Sequence, residues 1–280
     1  MILLIADSGS TKTDWVVVAP EQTIAIQTPG INPVHQDDTT IDGIIGQGLI
    51  PQLGGVIPSH IHFYGAGCIG NTTNQRLSAI LHRHFAATCI TVESDLLGAA
   101  RSLCGRKPGI AGILGTGANS CYYDGKQIVA NTPPLGYILG DEGSGASLGK
   151  NFLRALLRKE LGEDLLNEFY TSQGIDYPTL IQRIYREPAA NRYLASLSPF
   201  IASHLHHEAV QHIVADTFTS YLRNHIMHYD YCNTPLHLTG SIAYHYRHII
   251  AEVAHGQGIT IGTITRTPIE GLIMYHTNNL

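Results

Sequence analysis

Short apolar runs alternate with polar, glycine-containing turns along the first 30 residues of the chain. The runs at residues 2–6, 15–19 and 23–28 are rich in β-branched and aromatic side chains, a composition typical of strands. Only a few residues separate one run from the next, so the pattern predicts three strands joined by tight connections. Pro29 and Gly30 then end this pattern.

Helical and strand-like spacing alternate in the residues that follow. Asp37 and Asp38 suit the positive end of a helix that we expect to run to about residue 50. Ser94 and Asp95 are predicted to cap another helix directly after a short strand. The remaining predicted elements of this part are strands at 61–64 and 88–92 and a helix at 72–85.

A block with the same order of elements recurs near residue 109. Predicted strands at 109–114, 120–123 and 127–130 are again joined by a glycine-rich turn, residues 115–119, and by a tight turn. The two blocks share an arrangement rather than residue identities. Two similar halves that face each other would bring both glycine-rich turns to one cleft.

The rest of the chain extends the alternation of helices and strands. Residues 144–230 are predicted to be mostly helical, with helical spacing at 147–161, 164–169 and 199–228. Strands are predicted at 236–238 and 259–264, and helices at 243–255 and from Pro268 to about His276. This order predicts an α/β fold with partly parallel sheets, and a length of 280 residues suggests two domains.

Composition narrows the range of functions. Charged residues make up 14% of the chain and the net charge is −5, which argues against a surface that binds nucleic acid. The sequence has no run of 18 apolar residues and no charged leader, so we expect a cytoplasmic protein without a membrane partner. Five scattered cysteines without a Cys-x-x-Cys pair favour a reducing compartment and buried thiols.

Four glycine-rich turns follow predicted strands or lead into predicted helices, and such loops are where α/β sheets usually bind ligands. The turns lie at residues 7–13, 115–120, 140–145 and 240–241. The P-loop pattern fails because Asn151 follows Gly149-Lys150 and Ser144 stands at the first glycine position. Residues 143–149 are one residue too long for the dinucleotide-binding pattern, so a Rossmann dehydrogenase is not supported either.

The first of these turns, Asp7-Ser-Gly-Ser-Thr-Lys-Thr13, carries more chemistry than a hairpin tip needs. Its small residues let backbone N–H groups approach an anion, and its hydroxyl groups add donors. Asp7 offers the hard oxygen that Mg²⁺ prefers. An ordinary polar hairpin is the alternative interpretation, but the similar second turn favours phosphate binding.

Four segments together resemble the signature of the N-acetylglucosamine kinase family, which is related to the BadF/BadG/BcrA/BcrD ATPases in the sugar kinase, heat-shock chaperone and actin superfamily. They are Asp7-Ser-Gly-Ser-Thr-Lys-Thr13, Leu114-Gly-Thr-Gly-Ala-Asn-Ser120, Leu139-Gly-Asp-Glu-Gly-Ser-Gly145 and Leu238-Thr-Gly-Ser241. The resemblance implies two ribonuclease-H-like (actin-like ATPase) domains around a nucleotide cleft. On this chain it gives domains at 1–105 and 106–266, with a final helix at 267–280 that returns to the first domain.

The resemblance also implies the ligands, which are ATP, Mg²⁺ and a small-molecule amino sugar. Asp7 would position Mg²⁺, and Asp95 would be the catalytic base that accepts the proton of the attacking hydroxyl. The residues implied at the ATP are Gly9, Ser10, Thr11, Lys12, Thr13, Gly115 and Thr116 near the phosphates and Gly240 and Ser241 near the adenosine. The residues implied at the sugar are Asn32, Asp95, Gly117, Asn119 and Asp141.

Simpler roles stay open for several of these residues. Asp95 could be only a helix N-cap, and Lys12 could lie on the surface away from any phosphate. Asn32, which precedes a proline, could be only a turn residue. Asp141 could be the base while Asp95 holds the sugar, because both carboxylates would meet the substrate.

A group of histidines invites a metal hypothesis. His204, Glu208 and His212 fall at positions i, i+4 and i+8 of the helix predicted at 199–228, a spacing that suits zinc. The sequence nearby supplies no convincing further ligand. A solvated or interface helix is therefore the favoured interpretation.

The resemblance favours an ATP-dependent kinase that phosphorylates the 6-hydroxyl of an N-acetylated amino sugar, with N-acetylglucosamine as the leading substrate. N-acetylmuramic acid and glucosamine are rival substrates. A BadF/BcrA-type ATPase that activates a partner dehydratase and a sugar sensor without turnover are the alternatives from other classes. A homodimer is expected from the family alone.

Overall fold

The computed structural model describes residues 1–277, so positions 278–280 of the predicted final helix lie outside the described residues. The chain divides into two compact units. Unit 1 contains Met1–Lys107, Tyr123–Ile128 and the residues from Thr267 onward, and unit 2 contains Pro108–Tyr122 and Val129–Arg266. The domain boundaries given above, 1–105 and 106–266, stay a prediction.

Unit 1 is built on a mixed five-stranded sheet. Its strands are β1 (Leu3–Ser8), β2 (Lys12–Ala19), β3 (Gln22–Pro29), β4 (His60–Gly65) and β5 (Cys89–Ser94). They lie in the order β3-β2-β1-β4-β5, with β1–β2 and β2–β3 antiparallel and β1–β4 and β4–β5 parallel. The carboxyl ends of β1, β4 and β5 therefore meet at one edge of the sheet.

Strand β1 is buried on both faces, which explains its unbroken apolar sequence. Leu4 and Ala6 belong to one core cluster, whereas Leu3 and Ile5 belong to another that contains Leu272. The helices of unit 1 are α1 (Asp38–Gly43), α2 (Asn71–His84), α3 (Asp95–Cys104) and the C-terminal α13 (Ile269–Thr277). Leu272 lies on α13, so the last helix packs in unit 1 next to β1.

The helix predicted to begin at Asp37 and Asp38 changes its winding as it proceeds. The Asp37 carboxylate caps its start, where it accepts a hydrogen bond of 2.8 Å from the backbone N–H of Thr40. After α1 the chain continues as a π-helical segment, Ile44–Leu49, and as a 3₁₀ turn, Ile50–Leu53. Gly54 then ends the helix in the left-handed conformation, with φ of 58°.

Unit 2 is built on a second five-stranded sheet. Its strands are β6 (Gly109–Leu114), β7 (Ala118–Tyr123), β8 (Ile128–Thr132), β9 (Leu236–Thr239) and β10 (Ile261–Thr265). They lie in the order β10-β9-β6-β7-β8, and the β6–β9 and β9–β10 pairs are parallel. Ile113 is in register with Thr239, so β6 and β9 end side by side.

Helices supply most of the core of unit 2. Phe152, Phe169 and Phe200 form an aromatic group in this core, with ring centroids 5.4–6.3 Å apart. The helices are α4 (Gly136–Leu139), α5 (Gly145–Leu157), α6 (Glu163–Gln173), α7 (Tyr177–Tyr185), α8 (Ala190–Ser196), α9 (Ser198–Ser203), α10 (Glu208–Tyr221), α11 (Ser241–His245) and α12 (Arg247–Gly256).

The prediction of continuous helical structure at 199–228 is wrong. Helix α9 ends at Ser203 and α10 begins at Glu208. The carbonyl of Phe200 accepts hydrogen bonds from the Ser203 hydroxyl and the His204 ring, both at 2.8 Å, while the His204 N–H turns to Ile201 at 3.1 Å. These side chains take the carbonyl that a continuing helix would use, so the helix stops. The helix predicted at 243–255 is likewise divided, between α11 and α12.

This break removes the helical spacing on which the disfavoured metal hypothesis for the histidines depended. His204 lies in the turn between the helices, so it does not share one helix face with Glu208 and His212. Its Nε2 pairs with Glu168 at 3.0 Å and its ring stacks on Phe200. Within residues 1–277, no three His, Cys, Asp or Glu side chains gather as metal ligands.

The expectation of buried thiols holds for only part of the cysteines. Cys68 and Cys121 are buried, as expected. Cys89 and Cys232 are exposed, which corrects the sequence-based expectation. Cys89 is the first residue of β5, at the end opposite the carboxyl edge, which leaves its side chain in solvent. No helix within residues 1–277 is long and apolar enough to cross a membrane.

Candidate active site

The carboxyl edge of the unit 1 sheet gathers two of the acidic residues that the sequence singled out. Asp7 is in register with Tyr64 of β4, which is in register with Glu93 of β5. Asp95 follows two residues after Glu93, at the first position of α3. The parallel pairing of β1, β4 and β5 therefore brings Asp7 and Asp95 to the same edge.

These two carboxyl groups are electrostatically unusual. Burial, followed by the nearby charges of Asp95 and Asp14, raises the pKa of Asp7 from 3.8 to about 7, and the opposing charge of Lys12 is too weak to prevent this. Burial raises the pKa of Asp95 to about 6, although its Oδ1 accepts a hydrogen bond of 2.8 Å from the Leu96 N–H. Two poorly solvated carboxylates without a strong cationic partner form a setting that a divalent cation would stabilise.

The N-cap of α3 is Ser94 rather than Asp95. The Ser94 hydroxyl accepts a hydrogen bond of 3.2 Å from the Leu97 N–H and caps α3. The Asp95 carboxylate accepts a hydrogen bond from the adjacent Leu96 N–H, not from the Leu97 N–H that Ser94 caps. Its carboxylate is therefore placed at the sheet edge without being needed to begin the helix.

The turn between β1 and β2 is anchored from inside by hydroxyl groups. The buried Ser8 and Thr13 share a side-chain hydrogen bond of 2.7 Å, and the Ser8 hydroxyl also bonds both the N–H and the carbonyl of Ile31. Gly30 lies so close to the turn that a Cβ there would collide with the carbonyl oxygen of Gly9. Thr13 therefore shapes the turn, whereas Gly9, Thr11 and Lys12 are exposed on it.

Lys12 does not point away from the protein as a free cation. Its Nζ forms an ion pair with Asp14, with an N–O distance of 2.7 Å, and Gln27 donates a hydrogen bond of 2.7 Å to the same carboxylate. The three N–H donors of the ammonium group leave capacity for a phosphate contact beside this ion pair.

Asn32 lies against the loop that follows β4. Its Oδ1 accepts a hydrogen bond of 2.9 Å from the Val34 N–H, as in an Asx turn, and its own N–H binds the Gln36 side chain at 2.8 Å. Gly67, with φ of 83°, packs directly on the Asn32 amide, where a Cβ would collide with it. Gly67 is not among the site residues predicted above, although Gly65-Ala-Gly67 directly follows a predicted strand.

In unit 2, the glycine-rich turn after β6 is tied to the start of helix α5. The carbonyl oxygens of Gly115 and Thr116 accept hydrogen bonds from the N–H groups of Gly145 and Ala146, at 2.8 and 3.1 Å. The Gly115 N–H binds the Gly117 carbonyl at 3.0 Å. The shape of the turn is therefore set by the segment that contains the Gly-Asp-Glu-Gly-Ser sequence.

Asp141 meets the same turn through its side chain. Its Oδ1 accepts a long hydrogen bond of 3.4 Å from the Ala118 N–H, and a Cβ on Gly117 would lie 3.1 Å from its Oδ2. Burial raises the pKa of Asp141, against the effects of the Ala118 N–H and of His225. Asp141 is also held in the left-handed conformation, with φ of 55°, which is uncommon for a non-glycine residue.

Asn119 and Gly240 complete the set in unit 2. The Oδ1 of Asn119 accepts hydrogen bonds from the Ser120 N–H and from the Asn131 side chain, at 2.9 and 3.0 Å. Gly240 follows β9 with φ of 117°, and a Cβ there would collide with the carbonyl oxygen of Leu114. Glycine is thus required for β6 and β9 to end side by side, and Ser241 begins α11 from this point.

Comparison with known proteins tests these expectations at the level of the family. No protein-family model matches the chain, and no curated protein does. A solved structure from Porphyromonas gingivalis, provisionally named N-acetylglucosamine kinase, has a TM-score of 0.96 and 44% identity, and the match covers 99% of each chain. A protein of the same provisional name from Chromobacterium violaceum has a TM-score of 0.76 and 18% identity over 98% of each chain.

A more distant likeness shows the fold alone. A ROK family glucokinase from Streptomyces griseus, solved with glucose and AMPPNP, has a TM-score of 0.61 and 13% identity, over 100% of this chain and 99% of that one. Two α/β units, each with a five-stranded sheet, are thus the fold of the two-domain sugar kinases, and the predicted fold class is confirmed. On the strength of the Porphyromonas gingivalis relative, the chain belongs to the N-acetylglucosamine kinase family, as the signature segments predicted.

Proposed function

We propose that the protein is an ATP-dependent sugar kinase that phosphorylates the 6-hydroxyl of an N-acetylated amino sugar, N-acetylglucosamine first. The observation that carries the proposal is the pair of poorly solvated carboxylates, Asp7 and Asp95, at the carboxyl edge of the unit 1 sheet. The close relative from Porphyromonas gingivalis bears the name of this activity.

Asp95 is proposed as the general base. With a pKa of about 6 its carboxylate is mostly ionised at neutral pH, yet it is a stronger base than an ordinary aspartate. It would accept the proton of the sugar hydroxyl as the hydroxyl oxygen forms its bond to the γ-phosphorus and the bond from phosphorus to the ADP oxygen breaks. Phosphoryl transfer needs little more from the protein than this proton acceptor and accurate positioning.

Asp7 is proposed to hold the magnesium ion that accompanies ATP. Its carboxylate supplies the hard oxygen ligand that Mg²⁺ prefers, and Mg²⁺ is commonly held by one or two carboxylates together with the phosphates. The raised pKa of Asp7 fits this role, because a bound cation would relieve the repulsion from Asp95 and Asp14. When bound, Mg²⁺ supplies neutralisation of the phosphate charge.

The glycine-rich turns are proposed as the ATP-binding elements. A side chain at Gly115 would meet no atom within 4 Å, and this glycine does not have a positive φ. Neither packing nor backbone conformation thus requires glycine there, whereas close approach of a phosphate would. The residues assigned to ATP are Gly9, Ser10, Thr11, Lys12, Gly115 and Thr116 at the phosphates, with Gly240 and Ser241 at the adenosine. Thr13 is buried, and we assign it to the shape of the turn.

The residues proposed to bind the sugar are Asn32, Asp95, Gly117, Asn119 and Asp141. Asp141 can accept hydrogen bonds from sugar hydroxyls, because the hydrogen bond that its carboxylate accepts from Ala118 is long. Asn32 retains its amide NH₂ group as a donor, since only its oxygen is used in the Asx turn. A cytoplasmic location and a homodimer stay predictions from the sequence and the family.

A coupled assay of ADP release tests the proposal. The purified protein with Mg²⁺ and ATP should release ADP rapidly with N-acetylglucosamine, and 6-deoxy-N-acetylglucosamine should inhibit competitively without being phosphorylated. N-acetylmuramic acid, glucosamine and glucose define the substrate preference. ADP release of the same rate with and without every sugar would contradict a sugar kinase and favour an ATPase, and an iron assay on protein purified without oxygen would then test the dehydratase-activating alternative.

A further inference from the structure

Helix α10 continues past Tyr221 as a π-helical segment, Leu222–Ile226. This part of the chain carries three aromatic residues spaced four positions apart, which are Tyr221, His225 and Tyr229. We call these three residues the 221–229 row. Irregular π-helical turns often occur at functional sites, so the contacts of the row are informative.

The two tyrosines of the row hold the beginning of β7. The Tyr221 hydroxyl donates to the backbone carbonyl of Asn119 at 3.2 Å. The Tyr229 hydroxyl lies 3.1 Å from the Ser120 carbonyl, to which it donates, and accepts from the Thr132 N–H at 2.8 Å. The row therefore fixes the beginning of β7, where Asn119, a proposed sugar-binding residue, lies.

The histidine of the row holds Glu142, the residue after Asp141. The His225 Nε2 lies 3.1 Å from one carboxylate oxygen of Glu142, and the Asn224 amide donates to the other at 3.1 Å. Burial would raise the pKa of Glu142, but hydrogen bonds from its own backbone, from His225 and from Asn224 lower it. Glu142 therefore accepts as a carboxylate, and the Nε2 of His225 donates.

Burial of the His225 ring leaves one of its nitrogens unsatisfied, which costs free energy and indicates a role beyond packing. His225 is only 2% exposed on its side chain, and its Nδ1 has no hydrogen-bond partner within residues 1–277. A phenylalanine could stack on Tyr221 equally well without burying an unsatisfied nitrogen. Packing alone thus does not account for a histidine at this position, whereas the bond to Glu142 does.

Anchoring Glu142 constrains Asp141 on its C-terminal side. The Asp141 N–H binds the Pro134 carbonyl at 2.8 Å, and the next glycine, Gly143, lies against Tyr221, where a Cβ would be 2.7 Å from the tyrosine Cβ. Asp141 itself has the disfavoured φ of 55°. A residue in this conformation persists only when its neighbours hold it, and Glu142 and Gly143 are both held by the 221–229 row.

We propose that His225, acting through Glu142, is a positioning residue that sets the Asp141 carboxylate for sugar binding. The inference rests on the proposed function, in which Asp141 binds the sugar. It goes further by assigning a role to a buried side chain that does not touch substrate.

His225→Phe and His225→Gln separate this role from packing. His225→Phe keeps a ring against Tyr221 but removes the donor, and it should raise the KM for the sugar about tenfold while the KM for ATP and the kcat stay within about twofold. His225→Gln supplies an amide donor to Glu142 and should restore part of the sugar KM. The matched control, His228→Phe, changes an exposed histidine of the same segment and should leave all three constants unchanged.

Equal increases in the two KM values, or an unchanged sugar KM in His225→Phe, would overturn the proposal. If His225→Phe fails to fold, Glu142→Ala replaces it, because that side chain is 28% exposed and lies in a loop. Glu142→Ala should raise the KM for the sugar and leave the KM for ATP unchanged. An unchanged KM for the sugar in this variant would also overturn the proposal.

Hydrogen exchange separates failure of this inference from failure of the proposed function. In His225→Phe without ligands, the backbone amides of Ala118 and Asp141 should exchange at least tenfold faster than in the wild type. If the wild type phosphorylates no sugar but these amides exchange faster in His225→Phe, the kinase assignment is rejected and the positioning role is supported. Unchanged exchange would reject the positioning role, whether or not the wild type is a kinase.

Discussion

Replacement of Asp7 by asparagine should make the ligand-free protein more stable, and increasingly so as the pH rises. The substitution keeps the shape of the side chain and removes the charge that burial and the neighbouring Asp95 and Asp14 disfavour. The Asp7 pKa is about 7 in the folded protein and about 3.8 when the chain unfolds. Between these values the folded state binds more protons, so wild-type stability falls as the pH increases through this window.

The magnitude follows from the size of the pKa shift. Each unit of pKa difference corresponds to about 1.4 kcal/mol. As the pH rises from 5 to 8, the Asp7 carboxyl group should therefore lower the free energy of unfolding by at most roughly 2–3 kcal/mol. Relaxation and water entry could halve that effect, which still leaves roughly 1 kcal/mol to measure. The stabilisation gained by Asp7→Asn should therefore be larger at pH 8 than at pH 5 by about that amount.

Urea unfolding at the two pH values, without Mg²⁺ or nucleotide, measures this difference. Glu21→Gln is the matched control, because it removes an exposed carboxylate from the turn between β2 and β3 and should not stabilise the protein. Addition of Mg²⁺ and ADP should stabilise the wild type more than Asp7→Asn. A destabilising role for the Asp7 charge is refuted if Asp7→Asn is less stable than the wild type at pH 8. It is also refuted if the stability of Asp7→Asn falls with pH as steeply as that of the wild type.

Three further predictions concern the reaction. Asp95→Asn should lower sugar-dependent ADP release by about 10²–10⁴-fold, as expected for a general base, with sugar binding by calorimetry almost unchanged; near-wild-type turnover would reject the base assignment. Gly117→Ala should weaken sugar binding about tenfold, because the new Cβ would press on Asp141, whereas Gly43→Ala, in open space, should not. Lys12→Ala should raise the ATP KM about tenfold, because it removes a charged contact to a phosphate; an unchanged KM would restrict Lys12 to its ion pair with Asp14.

The sequence was sufficient to predict most elements and the family, because those depend on local patterns. The strand at 109–114 was predicted with its observed bounds, since a buried strand flanked by glycine has a distinct composition. The error at 199–228 has a specific physical cause. Ser203 and His204 bond the Phe200 carbonyl through their side chains, and apolar spacing alone does not reveal that competition.

Contacts between residues that are distant in the sequence also could not be predicted in the candidate site. Asp7 and Asp95 were singled out from their positions after strands, and the sheet does bring them to one edge. The support of Asp141 by Glu142 and His225 depends on residues 83 positions apart in the sequence, which no local motif could have paired. Gly67 was visible as a turn residue, but its contact with Asn32 exists only in the folded unit.

Phosphorus NMR of the reaction product tests the central claim most directly. The protein is incubated with ATP, Mg²⁺ and N-acetylglucosamine, and the new phosphorus resonance is correlated with the protons of the sugar. The account predicts a phosphate monoester whose phosphorus couples to the two protons on carbon 6, and almost none of it with Asp95→Asn. Formation of inorganic phosphate alone, or of a monoester at another carbon, would contradict the account.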